Sequence, residues 1–325
     1  MPNFPISDHC DGVRFFNPRG PSARSFWDLP KWWGQQLRGS ATAWPRSVPA
    51  PAQVRLPANV SSGQVAATFI GHATYLLQFA GCTVLTDPVF SSRAGPFGLL
   101  GPKRARPPAL RLGELPRVDV VVLSHNHYDH LDLASLRWLA QHRRPLIIAP
   151  LGLKAWLGAR GVANVVELDW WQSHFAGSGI EIICTPAQHW SSRWPWDRCL
   201  TLWGGFCLKT AAGSVWFAGD TGWGPHFAEI RARLGTPDLA LLPIGAYEPR
   251  WFMAAVHMNP AEAVRAHLAL GAKQSLASHH STFRLTDEGI DAPVHDLAAA
   301  RDAHAVPPAA FTAPGFGETV PVPLG

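Results

Sequence analysis

From Val65 onward the chain alternates short apolar runs with turn residues. Val65–Ile70, Tyr75–Phe79 and Thr83–Leu85 read as strands, turned at Gly71-His72 and Ala80-Gly81, and Asp87-Pro88 ends the third. Val118–Leu123 is a valine-rich run of the kind buried on both faces of a sheet. Leu133, Leu136, Trp138 and Leu139 then recur at helical spacing within 131–141. Further strands are predicted at Leu146–Ala149, Val165–Leu168, Ile180–Cys184, Leu202–Lys209, Ser214–Phe217, Leu239–Pro243 and Gln274–Ser278, with helices near 153–157 and 227–234. Asn259-Pro260-Ala261-Glu262 is a helix start: Asn caps, Pro suits the first turn, Glu returns a bond to the cap, and Gly271 ends the helix. The strands fall in two runs separated by helices. That order predicts an α/β fold, an αβ/βα sandwich of two packed β-sheets with helices on the outer faces, in one domain over 65–290.

The flanks read differently. Residues 1–64 mix proline and tryptophan with Phe15, Phe16, Phe26, Trp27, Trp32, Trp33 and Trp44, and are expected to wrap the main domain or line an entrance to it. The same mixture of aromatics with Arg and Lys also suits a membrane interface. The Ala/Pro-rich stretch 291–325 is expected to lie on the surface as a tail.

At the end of the Val118–Leu123 run the composition changes abruptly to Ser124-His125-Asn126-His127-Tyr128-Asp129-His130. Side chains two apart in extended chain share a face, so His125 and His127 can converge on one ion, leaving Asp129 and His130 to hold a second. The same grammar, an apolar strand followed by a ligand type, recurs three times, delivering His189, Asp220 and His279. Each alone is weak. Together they make five imidazoles and two carboxylates, the inventory for two divalent ions about 3.5–4 Å apart. The expected partition is His125, His127 and His189 on one ion, Asp129, His130 and His279 on the other, and Asp220 between them. Two Zn²⁺ suit such ligands with a position left for water, and iron or manganese suit them too.

Overall charge adds little to this picture. The formal net charge is +5 over 325 residues, and the basic residues are dispersed except for Lys103, Arg104, Arg106 and Arg111, which could face phosphate or an anionic membrane or form a solvated loop. No nucleic-acid partner is expected. Five cysteines without a C-x-x-C pair predict reduced thiols and a cytoplasmic protein, at most peripheral at the inner membrane surface. The N-terminus has no apolar signal core, and no run approaches the length of a membrane span. A homodimer is compatible with all of this.

The H-x-H-x-D-H run with a later His, Asp and His resembles the metallo-β-lactamase superfamily, whose fold is the sandwich predicted above. A longer set of motifs is similar to the N-acyl-phosphatidylethanolamine-hydrolysing phospholipase D family between Gly71 and Phe283. They are Leu85-Thr86-Asp87-Pro88-Val89-Phe90, Gly101-Pro102-Lys103-Arg104, Glu167-Leu168-Asp169-Trp170-Trp171, Gln188-His189-Trp190, Phe217-Ala218-Gly219-Asp220-Thr221-Gly222 and Pro243 to Met253. The resemblance implies a zinc phosphodiesterase that cuts a phospholipid on the headgroup side of phosphorus, releasing an N-acylethanolamine and phosphatidic acid. Asp220 and Asp129 would be its catalytic carboxylates. One departure stands out: the family's Trp-Gly after the last ligand is replaced by His280-Ser281, an imidazole expected beside the metal that could reshape the acyl pocket or compete for the ion.

Around the ligands, Asp87 and His72 are candidates to orient imidazoles. Tyr247, Glu248, Arg250 and Trp251 occupy a loop after a strand, where Arg250 could pair with phosphate and Trp251 could line an acyl groove. His257 is a further pocket candidate, and Trp170, Trp171 and Trp190 are candidates for apolar wall or core. The alternative activity is hydrolysis of a carboxylic ester, lactone or thioester on the same fold. A metal-binding scaffold without turnover is disfavoured, since a structural zinc is normally closed by four ligands that include cysteine.

Overall fold

The structure, a computed structural model, describes every residue except Met1, Pro2, Ser22, Arg24, Ser25, Ser40, Ala52, Gln53 and Ser178. Of Phe26 only the backbone is described, so the expectation placed on its ring lies outside the described residues. The first strands are β1 (Gln64–Gly71), β2 (Thr74–Phe79), β3 (Cys82–Thr86), β4 (Val120–Val122), β5 (Leu146–Pro150) and β6 (Val165–Leu168). The later ones are β7 (Ser173–Phe175), β8 (Glu181–Thr185), β9 (Gly205–Lys209), β10 (Ser214–Phe217), β11 (Leu239–Pro243), β12 (Gln274–Ser278), β13 (Phe311–Thr312) and β14 (Thr319–Pro323). They form two seven-stranded sheets, ordered β14-β1-β2-β3-β4-β5-β6 and β13-β12-β11-β10-β9-β8-β7.

Alternation along each strand sorts the core into layers. Val65, Ala67 and Phe69 of β1, Tyr75 and Leu77 of β2, and Val84 of β3 meet Ile182, Phe206, Phe217, Leu241 and Leu276 between the sheets. The opposite faces are covered by helices. Leu76, Leu85, Val121 and Ile147 pack with Leu136 and Leu139 of α2 (Leu133–His142), α1 being Leu29–Leu37. On the second sheet Trp216, Ala240 and Leu242 pack with Phe227 and Ile230 of α4 (His226–Leu234), α3 being Lys154–Gly158. They also meet Val264 and Ala266 of α6 (Pro260–Leu270), α5 being Arg250–Met253, and Leu297 of α7 (Ala292–Ala303). Two covered faces per sheet explain why so many strands read as continuous apolar runs. The α6 cap is closed as its residues dictate: Asn259 Oδ1 accepts from the Glu262 amide at 2.8 Å and Glu262 Oε2 accepts from the Asn259 amide at 3.0 Å. Gly271, at φ 65°, takes the left-handed stop.

The expected surface tail is a correction. Residues 292–303 form α7 against the second sheet, Phe311–Thr312 joins β12, and Thr319–Pro323 pairs antiparallel with β1 from Gln64↔Pro323 to Thr68↔Thr319. Alanine-rich composition obscured a helix whose one buried face is short, and the proline-containing β14 is an edge strand, the place in a sheet where proline is tolerated. The N-terminal segment is held to the body by long-range hydrogen bonds. His9 Nε2 lies 2.8 Å from Asp169 Oδ1, and Asn17 donates to the His189 carbonyl at 2.8 Å. Trp44 Nε1 donates to the Glu288 carbonyl at 2.8 Å. All five cysteines are free thiols. Among the described residues no helix is long and apolar enough to cross a membrane.

Candidate metal centre

Strand direction gathers the site. β3, β4, β5 and β6 run parallel, and β1 is brought parallel to β3 through antiparallel β2, so the C-terminal ends of β1, β3 and β4 share one edge. In the second sheet β10, β11 and β12 are parallel, and β8 joins them in direction through antiparallel β9. Those ends deliver His72 after β1, Asp87 after β3, His125 after β4, His189 after β8, Asp220 after β10 and His279 after β12. The backbone there is bent sharply: His72, Asp87 and His279 have φ of 57°, 30° and 59°, a region that costs any residue with a Cβ free energy unless its surroundings hold it. The His279 amide donating to the His72 carbonyl at 2.7 Å, and the Asp87 amide donating to the Val122 carbonyl at 3.0 Å, do the holding. Gly219 precedes Asp220 at φ 61°, and a Cβ there would lie 2.4 Å from Ser124 Cβ, so only glycine lets the two sheets' loops touch.

All the expected ligands converge. Asp220 Oδ2 lies 3.0 Å from His130 Nε2, 3.1 Å from His279 Nε2, 3.9 Å from His189 Nε2, and 4.0 Å from both His125 Nε2 and His257 Nδ1. His127 Nδ1 is 2.8 Å from His125 Nε2 and 3.2 Å from His189 Nε2. Asp129 Oδ2 is 3.0 Å from His72 Nε2, 3.3 Å from His279 Nε2 and 3.5 Å from His130 Nε2. Among the described residues four overlapping groups of potential ligands result, His125-His127-His189, His72-Asp129-His130-His279, His125-His130-Asp220 and His189-Asp220-His257, so Asp220 reaches both halves of the cluster. His72, expected only to orient a ligand, stands inside the second group.

The tautomers follow from the outer hydrogen bonds. His189 Nδ1 donates to the Val256 carbonyl at 2.9 Å, leaving the Nε2 lone pair facing Asp220. His130 Nδ1 donates to Asp87 Oδ2 at 2.6 Å. Ser124 Oγ donates to the same carboxylate and so accepts from His125 Nδ1 at 2.9 Å. Asp87, Ser124 and the Val256 carbonyl thereby point three lone pairs, on His130, His125 and His189, at a buried carboxylate. Lone pairs facing an anion in a site this dry are repulsive unless a proton or a cation stands between them. His130 Nε2 and Asp220 Oδ1 are buried with no hydrogen-bond partner, so the donor set fits divalent cations.

The titration behaviour has the same origin. Burial and neighbouring imidazoles drive His125 far below its ordinary value and His127 to about 3, while burial takes His189 to about 4. Burial also opposes the charge on His130 and His279, yet Asp220 and Asp129 overcome it, holding His130 well above the usual range and His279 at about 9. Against their own burial, Asp129 and Asp220 are kept well below the carboxylate range, Asp129 chiefly by His130 and Asp220 by His130 and His279.

A cleft of about 320 Å³ opens from this cluster, with His127, Asp129, Asp220 and His257 at its floor and Trp190, Phe252, Met253 and Val256 among its walls. His257 therefore sits in the cleft, its Nδ1 without a partner. Several other expectations are corrected. Arg250 is spent inside the fold: it reaches Glu262 Oε2 at 2.7 Å and the carbonyls of His257 and Tyr247 at 3.0 and 3.2 Å. Tyr247 donates to Asp296, Glu248 Oε2 caps the Arg250 amide, and Trp251 Nε1 donates to Gln35 Oε1. Ala246, Phe252 and Met253 line the cleft in their place.

His280 likewise turns away from the cluster. Its ring stacks on Phe69 at 5.3 Å and its Nδ1 lies 3.0 Å from Ser281 Oγ, so it neither competes as a ligand nor meets the cleft. The basic cluster also dissolves: Arg104 is buried and donates to the Val89 and Ser91 carbonyls, and Arg111 pairs with Glu114. Trp170 is core, its indole donating to the Trp203 carbonyl, and Trp171 packs under Arg233.

Sequence reasoning passed over Arg193. Its guanidinium donates to the carbonyls of Asn126 at 2.9 Å and Leu131 at 2.8 Å, clamping both ends of the ligand loop, and it lies 3.9 Å from the Tyr128 ring. No local pattern marks such a residue, since its partners are main-chain atoms about sixty positions away.

Comparison with known proteins agrees with this geometry. N-acyl-phosphatidylethanolamine-hydrolyzing phospholipase D 1 of Caenorhabditis elegans is 43% identical over 228 residues, 67% of this chain and 64% of that protein. The mitochondrial N-acyl-phosphatidylethanolamine-hydrolyzing phospholipase D of Saccharomyces cerevisiae is 35% identical over 271 residues, 79% of this chain and 58% of that one. The chain thus spans less than two thirds of the length of these curated relatives. In fold it is similar to the crystal structure of isothiocyanate hydrolase from Delia radicum gut bacteria, with a TM-score of 0.64 at 22% identity over 78% of this chain and 98% of that one. The profile of the beta-lactamase superfamily domain matches residues 83–280, a span that includes every converging candidate ligand except His72. By that match and by its paired seven-stranded sheets, the chain belongs to the metallo-β-lactamase superfamily.

Proposed function

We propose that the chain is a dinuclear metal-dependent phosphodiesterase that hydrolyses a phospholipid of the N-acyl-phosphatidylethanolamine type to an N-acylethanolamine and phosphatidic acid. The observation that carries the reading is the meeting of five imidazole nitrogens within 4.0 Å of Asp220 Oδ2 at the floor of a largely apolar cleft. The relatives named for this activity support the choice of substrate. His125, His127 and His189 would hold one cation, His130, Asp129 and His279 the other, and Asp220 both. Zinc is the ion we favour for these ligands, with iron or manganese as the chemical alternatives. Bound there, such a pair supplies an acidified water as nucleophile and neutralises charge on a phosphoryl oxygen.

The chain's own residues do the rest. Asp87 fixes His130 through Nδ1 and Ser124 through its hydroxyl and amide, so the lone pairs of His130 and His125 stay aimed at the same point. The Val256 carbonyl does the same for His189. His257 lines the cleft at the edge of the cluster, its Nδ1 4.0 Å from Asp220 Oδ2 and without a hydrogen-bond partner, where it can hydrogen-bond a phosphoryl or leaving oxygen. Trp190, Phe252, Met253 and Val256 exclude water from the floor and offer apolar contact to acyl chains.

The test uses the purified protein with a phosphodiester and a carboxylic ester of the same chromophore, with and without chelator, followed by N-acyl-phosphatidylethanolamine in mixed micelles. Chelator-sensitive turnover of the diester and of the lipid is expected, with the ester slow. Ester turnover with an inert diester would replace this reading by carbonyl hydrolysis on the same fold.

A further inference from the structure

The cleft is completed from outside the matched family domain. Beside Phe252, with which Trp32 is packed, its wall is made by Leu29 and Trp32 of α1, a helix that lies before residue 83. Trp32 is the buried residue of that helix, 8% exposed against 55% for its neighbour Trp33. What holds it inward is polar. Trp32 Nε1 donates to Asp287 Oδ2 at 2.9 Å, and Gln36 Nε2, one turn on, donates to Asp287 Oδ1 at 2.7 Å. Asp287 is itself buried, so the Trp32 indole meets its acceptor away from water, where such a bond holds a side chain most firmly, and the half-buried Gln36 bond steadies the same carboxylate. With its single N–H engaged, the indole presents an apolar surface to the cleft, 5.1 Å between ring centroids from Phe252. An indole with no donor left recognises hydrocarbon and cannot select a polar headgroup.

We propose that Trp32, oriented by Asp287, is the specificity-determining residue of the cleft, the wall against which an alkyl or acyl chain of the substrate packs. The assignment rests on the phosphodiesterase reading for its catalytic readout and on the cleft alone for its binding readout.

Two esters that differ only in chain length separate the possibilities: methyl and dodecyl p-nitrophenyl phosphate, assayed on the metal-loaded full chain. Trp32→Ala is expected to lower the dodecyl-to-methyl ratio of kcat/KM by about tenfold or more, mainly through KM, and Trp32→Phe to lower it less. Trp33→Ala, on the exposed side of the same helix, serves as control and should leave the ratio as in wild type. Should Trp32→Ala fail to fold, Trp32→Leu, apolar but without the flat ring, reads the same ratio. An unchanged ratio, or an equal fall for both esters, overturns the assignment. If the wild type cleaves neither ester, the phosphodiesterase reading fails while the wall is still judged by calorimetric binding of dodecyl phosphate. Binding weakened about tenfold in the variant supports it, and equal affinity overturns it.

Discussion

Asp87 and Ser124 act one bond away from the cluster, and they illustrate how little of this site can be exchanged at the residue scale. Asp220 is the side chain on which both ligand groups close. Asp220→Asn is expected to lower turnover on the order of 100-fold or more while cooperative unfolding persists; wild-type turnover at full metal content, measured by elemental analysis, would remove Asp220 from the mechanism. A second expectation concerns pH and a histidine outside the ligand set. His226 is buried with Nε2 3.0 Å from Thr221 Oγ1, and burial lowers it to about 3. Below its ordinary value of 6.5 the unfolded chain takes up a proton that the native state refuses. Its contribution is therefore complete above pH 6.5 and is lost as the pH falls toward 3, at about 1.4 kcal/mol per pH unit. Urea unfolding of wild type and His226→Gln between pH 7 and 5 should show the shallower dependence in the variant. Parallel slopes would mean that His226 is protonated in the native state.

At the scale of elements, what matters is that strands end together and that their last residues turn at fixed points. Gly219 is one such point and Gly245 another, where a Cβ would lie 2.0 Å from the His279 carbonyl oxygen. Gly219→Ala should push Ser124 off Asp87, so the expected result is a loss of bound metal together with about 1–3 kcal/mol of stability, read by elemental analysis and by chemical denaturation. Full metal content in that variant would show that the Ser124 contact is dispensable. The helices were legible wherever a cap coincided with periodicity, as at Asn259–Gly271. They were illegible in α7, whose few buried positions, Pro293, Leu297 and Ala300, are set among alanines that also fill its outer face.

For the whole molecule, closure depends on the last strands of the chain. β14 covers the β1 edge of one sheet and β13 extends the other, so a chain ended after α7 would expose both edges and unzip five β1 pairings from Gln64 to Thr68. Such a truncation is expected to aggregate or to lose its cooperative transition in circular dichroism; a stable, soluble product would make the last strands ornamental. Metal acts on the same scale, since ions that bind only the folded site stabilise it by mass action. Treatment with a chelator should lower the melting temperature, and added Zn²⁺ should restore it. An unchanged melting temperature would mean that the ligand cluster carries no cation under those conditions.

Local order in the chain was enough to predict the sandwich, the end-of-strand positions of the candidate ligands, and the caps and turns around them, because apolar periodicity, capping residues and turn residues are all read from neighbouring positions. His280 and Arg250 show where that reasoning stops. Both sit in register with functional neighbours, yet their side chains are claimed by Phe69 and by Glu262 from other elements. The latch from Trp32 to Asp287, the Arg193 clamp and the return of residues 292–323 to the sheets were likewise decided only when distant segments met. Buried polar groups take whatever partner the packed fold brings within reach, and no pattern of neighbours along the chain specifies which that will be.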